Sequence, residues 1–124
     1  MKQENFVKGR LGEQIARNFL EEKGYKHIES NFYVRGGEID LIMNDGQSLV
    51  FIEVKLKTGD EFGSPEEMIN TGKIGNIRKT AWLFLMERPI LAKTYTKLRI
   101  DTVCIVMKDK KEISKIKHYQ NISI

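Results

Sequence analysis

The chain has 124 residues, of which 40% are hydrophobic and 31% charged, a composition typical of one globular domain over residues 1–124. No apolar run approaches the about 20 residues of a membrane-spanning helix, and no apolar segment typical of a secretory signal follows the first residues, so we expect a cytoplasmic protein without a membrane partner. The net charge of +4 divides into −2 over residues 1–64 and +6 over residues 65–124, which favours a nucleic-acid partner only weakly.

Residues 3–23 carry apolar side chains at helical spacing, and Gly24 supplies the backbone conformation that ends many helices. Glu13 lies at the edge of the apolar stripe. There it would point toward the sheet and join other acids, or it would face solvent and pair with Arg17 four residues later. The pattern alone leaves both interpretations of Glu13 open.

Residues 25–34 are predicted to form the first strand, and Arg35-Gly36-Gly37 turns the chain into the next one. The glycines are explained by the turn itself. Arg35 at this corner is a candidate phosphate contact, although an exposed loop arginine needs no functional explanation.

Residues 37–43 and 49–56 are two strand-like runs around an Asp-Gly turn, which predicts a β-hairpin. With Asp45 and Gly46 at the turn centre, Asp40 faces Phe51. Side chains alternate along a strand, so one face of the hairpin then carries Glu38, Asp40, Phe51, Glu53 and Lys55. The other face carries Ile39, Leu41, Val50, Ile52, Val54 and Leu56.

Acids inside otherwise apolar strands are costly to bury unless they are paired or hold a metal. In the predicted register Asp40 and Glu53 are diagonal neighbours, at most about 7–8 Å apart at Cβ, and could share one Mg²⁺. Lys55 would reach a metal-bound water or a phosphate oxygen, and Glu38 opposite Glu53 is a further candidate. A turn one residue longer would move Glu53 and Lys55 to the other face.

This arrangement resembles the D-x(n)-E-x-K core of the PD-(D/E)XK nucleases. A fuller set of segments resembles the YraN-like uncharacterised family, which is related to archaeal Holliday-junction resolvases. The matching segments are G-R-L-G-E at 9–13, G-E-I-D-L-I at 37–42, V-F-I-E-V-K at 50–55, F-G-S-P at 62–65 and Lys73. Together they run nearly from end to end of the chain.

The resemblance implies an α/β (α+β) fold of the restriction-endonuclease type, ordered α-β-β-β-α-β around a mixed sheet, here with an extra C-terminal edge strand. It implies an endonuclease that uses Mg²⁺ or Mn²⁺, with Asp40, Glu53 and the Val54 carbonyl as ligands. Lys55 would orient the attacking water, and Glu13 would complete the catalytic set. Lys57 stands where the family often has an arginine, which weakens the case for bidentate phosphate binding there.

Residues 64–67 read S-P-E-E, a capping box that predicts a helix start. The glycines at 72 and 75 predict a break before a second helical segment from Lys73 to Glu87, which Arg88-Pro89 would end. Lys73 near this helix start is a candidate phosphate contact, although solvated lysines are common on helices. The residues expected to face the sheet are Ile74, Ile77, Ala81, Phe84 and Leu85.

Residues 98–107 form an apolar run that predicts a buried strand, with Cys104 as a core thiol. Asp101 within it is an inward acid that would pair with Arg99, bracket the sheet or, as a minor alternative, contact the metal. A single cysteine excludes an internal disulfide. Residues 112–117 predict an edge strand protected by lysines, and His118 beyond it is expected to be exposed.

Metal-dependent cleavage of nucleic acid, with DNA as the expected substrate, is the function that these patterns favour. One alternative is a nucleic-acid-binding protein that keeps the fold without cleaving, and another is a module that binds a protein partner. The carboxylates could also form a mutually neutralising cluster, although three acids against one lysine argue against that. A homodimer, which junction cleavage would require, stays open because nothing identifies an interface.

Overall fold

The computed structural model describes residues 2–59, 66 and 69–122, and of residues 2–8 the backbone alone. The elements in chain order are α1 (Lys2–Glu22), β1 (Lys26–Val34), β2 (Gly37–Asp45), β3 (Ser48–Thr58), α2 (Thr71–Glu87), α3 (Pro89–Thr94), β4 (Lys97–Met107) and β5 (Ile113–Tyr119). The five strands form one sheet in sequence order, in which β3 and β4 run parallel and the other neighbours antiparallel. The predicted α/β order and mixed sheet are confirmed.

The sheet is covered on both faces. Ala16 and Leu20 of α1 pack on one face, and Ile77 and Phe84 of α2 pack on the other. Residues 37–56 contribute to both clusters, as expected for a strand pair with apolar side chains on each side. No helix within the described ranges is long and apolar enough to cross a membrane.

The β2–β3 hairpin is present, but its turn lies one position later than predicted. Asp45 pairs with Ser48, so the two turn residues are Gly46 and Gln47. Asp45 remains in the strand, where its Oδ2 accepts a 2.9 Å hydrogen bond from Arg99 Nη1 of β4. Gly46 has φ +61, the left-handed conformation that a tight hairpin turn requires.

The later turn shifts the register of the hairpin by two residues. An even shift leaves each side chain on its predicted face, because side chains alternate with a period of two. Extended past the paired residues, the observed register brings Asp40 directly opposite Glu53, where the sequence had predicted a diagonal relation and had placed Glu38 opposite Glu53. The regular pairing of the two strands ends one position before these acids, at Leu41 and Ile52.

Ile39 lies on the face opposite to the predicted one. It packs in the cluster beneath α2, whereas Leu41 packs beneath α1. The alternation is interrupted between them, at Asp40, where the pairing of β2 with β3 has ended. In the neighbouring strand, Asn31 lies across from Asp40 with φ +55, a conformation that asparagine tolerates better than most residues. A local distortion thus surrounds Asp40.

Helix α2 begins after Asn70, whose side chain accepts the Lys73 amide hydrogen at 2.9 Å. The predicted inward residues of this helix are buried, and the helix ends before Pro89 as expected. Pro89 also starts the short helix α3, which the sequence analysis did not foresee. The predicted capping box at 64–67 lies, apart from Glu66, outside the described residues.

Helix α2 approaches the start of β2 closely. A Cβ atom added at Gly37 would lie 2.1 Å from Thr80 Oγ1, a distance that no real side chain tolerates. Thr80 is held in place, since its hydroxyl donates to the Asn76 carbonyl oxygen at 2.8 Å. Packing therefore favours glycine at position 37, whereas the positive φ of the preceding turn is at Gly36.

Cys104 is buried in β4, as predicted. His118 was expected to be exposed, and that prediction is wrong, because its side chain is only 2% exposed. Its ring packs edge to face against Phe19 and Tyr25. Lys23 Nζ lies 3.1 Å from His118 Nδ1, and an ammonium only donates, so Nδ1 accepts and Nε2 carries the hydrogen.

Candidate acidic site between two depressions

Asp40 in the first half of β2 comes together with Glu53 and Lys55 in the middle of β3, as the sequence predicted. Lys55 Nζ lies 2.8 Å from Glu53 Oε1, and both side chains are only 15% exposed. The Val54 amide donates to Asp40 Oδ2 at 2.7 Å, which fixes that carboxylate against the next strand. One charged lysine is thus shared by two adjacent acids.

These residues line a cavity of about 300 Å³ between the hairpin and the first turns of α2, which we call the lysine depression. It is lined by Glu38, Asp40, Glu53, Val54, Lys55, Lys73, Asn76 and Ile77. Ile77 is the apolar contribution of α2, and most of the other side chains are charged. The cavity therefore suits a small charged group better than an apolar ligand.

The pKa of Asp40 is raised from its ordinary value to about 8. Burial is the largest cause, the charge of Glu53 is the next, and a hydrogen bond with Glu38 adds to both, while the Val54 amide acts in the opposite direction. Carboxylates this close cannot all ionise cheaply without a cation. In the metal-free protein Asp40 therefore holds a proton at neutral pH.

Lys55 and Lys73 are neighbouring amines in the lysine depression, where β3 meets α2. An ammonium only donates, so a hydrogen bond between them has the Lys55 ammonium as its donor and a neutral Lys73 amine as its acceptor. Burial opposes the charge of Lys55, but its hydrogen bonds with Glu53 and Lys73 raise its pKa overall. The hydrogen bond with Lys55 is the largest cause of a lowered pKa of Lys73, and burial adds to it. Two amines held side by side are ready to receive an anionic group such as a phosphate.

A second cavity, of about 400 Å³, lies on the α1 side of Asp40, and we call it the tyrosine depression. It is lined by Gly9, Arg10, Glu13, Asn31, Tyr33, Glu38, Asp40 and Val54. Asp40, Glu38 and Val54 line both cavities, so the acids separate the two.

Glu13 lies in the tyrosine depression, and α1 thus delivers it toward the other acids. Its Oε2 accepts a 3.0 Å hydrogen bond from Asn31 Nδ2, while Arg17 pairs with Glu21 at 3.4 Å. Burial raises the pKa of Glu13, the Asn31 hydrogen bond opposes this, and the charge of Glu38 adds to it. The interpretation that Glu13 faces the acids fits these contacts better than the solvent-facing one.

Arg35 and Lys57, two predicted nucleic-acid contacts, lie outside both depressions. Arg35 is exposed in the β1–β2 turn. Lys57 follows Lys55 by two residues in β3 and pairs with Val106 of β4. Of the three predicted phosphate contacts, only Lys73 lies at the acids.

The donor set fits one divalent cation in part. Among the residues that the structure describes, no three His, Cys, Asp or Glu side chains form a ready-made metal site. Asp40 and Glu53 nevertheless offer two carboxylates at one cavity, and the pKa of Asp40 is raised first by burial and next by the charge of Glu53. Main-chain oxygens and water would have to supply the remaining ligands, as is usual for Mg²⁺.

Sequence analysis missed Asn31, Tyr33 and Thr102. Asn31 and Tyr33 come from β1, whose side chains the hairpin pattern could not place near the acids. Thr102 pairs in register with Glu53, and its buried hydroxyl has no hydrogen-bond partner within the described part of the chain. The only sequence signal for any of these positions is an asparagine inside a predicted strand.

Comparison with known proteins identifies the family of this chain, and the description of that family names no activity. Residues 12–105 match the model of "Uncharacterised protein family UPF0102". A UPF0102 protein of Syntrophomonas wolfei is 42% identical over 91% of this chain and 94% of its own length. A UPF0102 protein of Pelotomaculum thermopropionicum is 35% identical over 91% of this chain and 92% of its own length. The matched region includes Glu13 and both hairpin strands.

Proposed function

The chain belongs to the uncharacterised protein family UPF0102, and we propose that it is a metal-dependent endonuclease that hydrolyses phosphodiester bonds of nucleic acid, with DNA as the expected substrate. The observation that carries the proposal is the convergence of Asp40, Glu53 and Lys55 on one cavity, with Lys73 beside them. Acids and amines in one polar cavity match a phosphate group and a cation that binds it.

The cation would be Mg²⁺ or Mn²⁺, held by the carboxylates of Asp40 and Glu53 with the Val54 carbonyl as a further oxygen. When bound, it would stabilise negative charge on the phosphate oxygens and lower the pKa of a water molecule. This assignment is supported by the two carboxylates that border one cavity, because Asp40 and Glu53 are close enough for the charge of Glu53 to raise the pKa of Asp40 after burial, the larger cause.

Lys55 is well placed to donate to a phosphate oxygen or to the attacking water. Its ammonium is held by Glu53 at 2.8 Å, so the side chain is ordered before a substrate arrives. Lys73 borders the same cavity from α2 and would hold the phosphate from the other side. Glu13, which is hydrogen-bonded to Asn31, would accept a hydrogen bond from water on the α1 side.

A panel of linear duplex, branched, single-stranded DNA and RNA substrates, incubated with Mn²⁺, tests the proposal. We expect the wild type to cut at least one substrate and Glu53→Gln to lose most of that activity, at least about a hundredfold, because one of two acidic ligands becomes neutral. Lys79→Gln is a matched control, since Lys79 is exposed on α2 and lines neither depression. Equal cutting by wild type and Glu53→Gln would end the proposal.

The alternative is a protein that binds nucleic acid without cleaving it, and an experiment with EDTA distinguishes this alternative from an endonuclease. Cutting by an endonuclease of this kind stops when EDTA removes the cation. Binding by the basic surface persists in EDTA and weakens as salt rises. A chain that binds in this salt-dependent way but cuts nothing with Mg²⁺ or Mn²⁺ would support the alternative.

A further inference from the structure

Tyr33 presents an exposed aromatic ring beside the acids. Its side chain belongs to β1, an edge strand of the sheet, and the residue is 62% exposed although large aromatic residues are usually covered. Tyr33 lines the tyrosine depression together with Asp40 and Glu38. The ring therefore borders the place where the proposed reaction occurs, and neither the metal ligands nor the lysines account for it.

Tyr33 is linked to Glu13 through Asn31. Its hydroxyl donates to Asn31 Oδ1 at 3.5 Å, and Asn31 Nδ2 donates to Glu13 Oε2 at 3.0 Å. Asn31 adopts φ +55 to take part, a conformation that costs free energy and tends to occur at functional sites. The neighbouring acids also affect the phenol, because the charges of Glu38, Glu13 and Asp40 add to burial in raising the pKa of Tyr33.

The two depressions have different chemistry. The lysine depression offers amines for a phosphate, and the tyrosine depression offers a flat exposed ring with Arg10 at its border. A nucleotide has the same two parts, an anionic phosphate and an aromatic base. Bases stack on aromatic side chains whatever their sequence, provided that they are not already stacked in a duplex.

We propose that the tyrosine depression is a nucleobase subsite in which the ring of Tyr33 stacks on an unpaired base adjacent to the phosphate held at Lys55 and Lys73. The proposal rests on the proposed function and narrows its substrate to nucleic acid with a single-stranded stretch at the site. Tyr33 is then a binding residue, and Asn31 is a positioning residue that holds the phenol and Glu13 in a fixed relation.

The test measures binding without turnover. The full chain in EDTA is titrated against a fluorescein-labelled oligothymidine and against a labelled duplex, and fluorescence anisotropy gives both affinities. We expect Tyr33→Leu to weaken single-strand binding about tenfold and duplex binding less than about twofold. Tyr33→Phe keeps the ring and should bind the single strand within about twofold of wild type.

Trp82→Leu is the matched control. Trp82 is 64% exposed, almost as much as Tyr33, but it lines neither depression. Its replacement should leave single-strand affinity within about twofold of wild type. Melting temperatures of all variants establish that they are folded, which is expected because the replaced rings are on the surface.

Three results would overturn the subsite. Single-strand affinity unchanged in Tyr33→Leu would show that the ring does not stack. An equal loss in Tyr33→Phe would assign the effect to the hydroxyl, and an equal loss on the duplex would assign it to the surface in general.

If Tyr33→Leu binds normally while the wild type cuts with Mn²⁺, only the subsite fails. If the wild type binds no nucleic acid and cuts none, the proposed function fails with it.

Discussion

Asp40 and Asp101 are aspartates inside strands of the same sheet, but the charges around them have opposite signs. Asp101 is fully buried and receives two hydrogen bonds from Arg99, at 2.9 and 3.1 Å. His118 Nε2 lies 2.8 Å from its Oδ2, and the Asn121 amide donates to Oδ1 at 3.0 Å. Asp40 accepts from the Val54 amide and otherwise meets acids.

The pKa values of the two carboxyl groups follow their neighbours. Burial alone would raise the pKa of Asp101, but hydrogen bonds from His118, Arg99 and Asn121 outweigh it and lower the pKa. Burial and the charge of Glu53 act together on Asp40 and raise its pKa to about 8. Donating partners thus favour the ionised form of Asp101, whereas burial and neighbouring acids favour the neutral form of Asp40, and perturbed pKa values of the second kind are frequent at functional sites.

Breaking the Asp101 cluster should have the largest effect. Arg99→Met removes two hydrogen bonds from a carboxylate with no exposed area, and we expect the free energy of unfolding to fall by about 3 kcal/mol. Urea denaturation at neutral pH measures it. Arg17→Met is the control, because the Arg17–Glu21 pair is 39% and 41% exposed and should contribute about 0.5 kcal/mol or less. A loss no greater in Arg99→Met than in the control would contradict the comparison.

Adding a divalent cation should have an intermediate effect, confined to the Asp40 site. At ten times its dissociation constant, Mn²⁺ should stabilise the folded chain by about 1.4 kcal/mol, or a few degrees of melting temperature. Asp40→Asn should abolish the shift, while Arg17→Met should retain it. A shift that persists in Asp40→Asn would place the cation elsewhere.

Replacing Asp40 by asparagine in the absence of a cation should change stability by an amount that depends on pH. The folded pKa of about 8 lies above the ordinary 3.8, so the stability that Asp40 contributes is complete below the ordinary value and is lost as pH rises through about 8. In EDTA, the stability of Asp40→Asn relative to wild type should therefore rise with pH from about pH 5 to about pH 8 and level off above that.

For Asp101 we expect the opposite pH dependence of stability, measured by the same urea denaturation at several pH values. Its folded pKa is lowered, so its contribution is present above the ordinary pKa of 3.8 and is lost as pH falls through the folded value. Both Asp40→Asn and wild type should lose this contribution to stability at acid pH. If the difference between the two proteins stayed constant from about pH 5 to about pH 9, the assignment of the raised pKa to Asp40 would be wrong.

The hairpin could be predicted because its signals are local. Alternating apolar residues and an Asp-Gly pair identified both strands, and the error of two residues in register changed no face. What the pattern could not show is that Arg99, far along the chain, binds Asp45 and keeps it in β2. Exact register here depends on a contact between distant segments.

The errors at His118 and Ile39 also come from tertiary structure. His118 sits two residues after Ile116, which packs on the α1 side, so strand alternation contained a signal that it faces inward. The covering rings, Phe19 and Tyr25, lie some hundred positions earlier in the sequence, and no local pattern joins them to β5. Ile39 packs on the unexpected face of the sheet because the strand is distorted at Asp40, and no residue type in β2 predicts that distortion.

Gly37 sets the spacing between α2 and the strand that carries Asp40. Thr80 fills the space where a Cβ would be, and the first turn of the same helix carries Lys73. A methyl group at position 37 would clash with the Thr80 hydroxyl, so either that side chain or the helix would have to shift. The distance between the Lys55 and Lys73 amines therefore depends on the absence of a Cβ atom at Gly37, which contacts α2 about two helical turns away from Lys73.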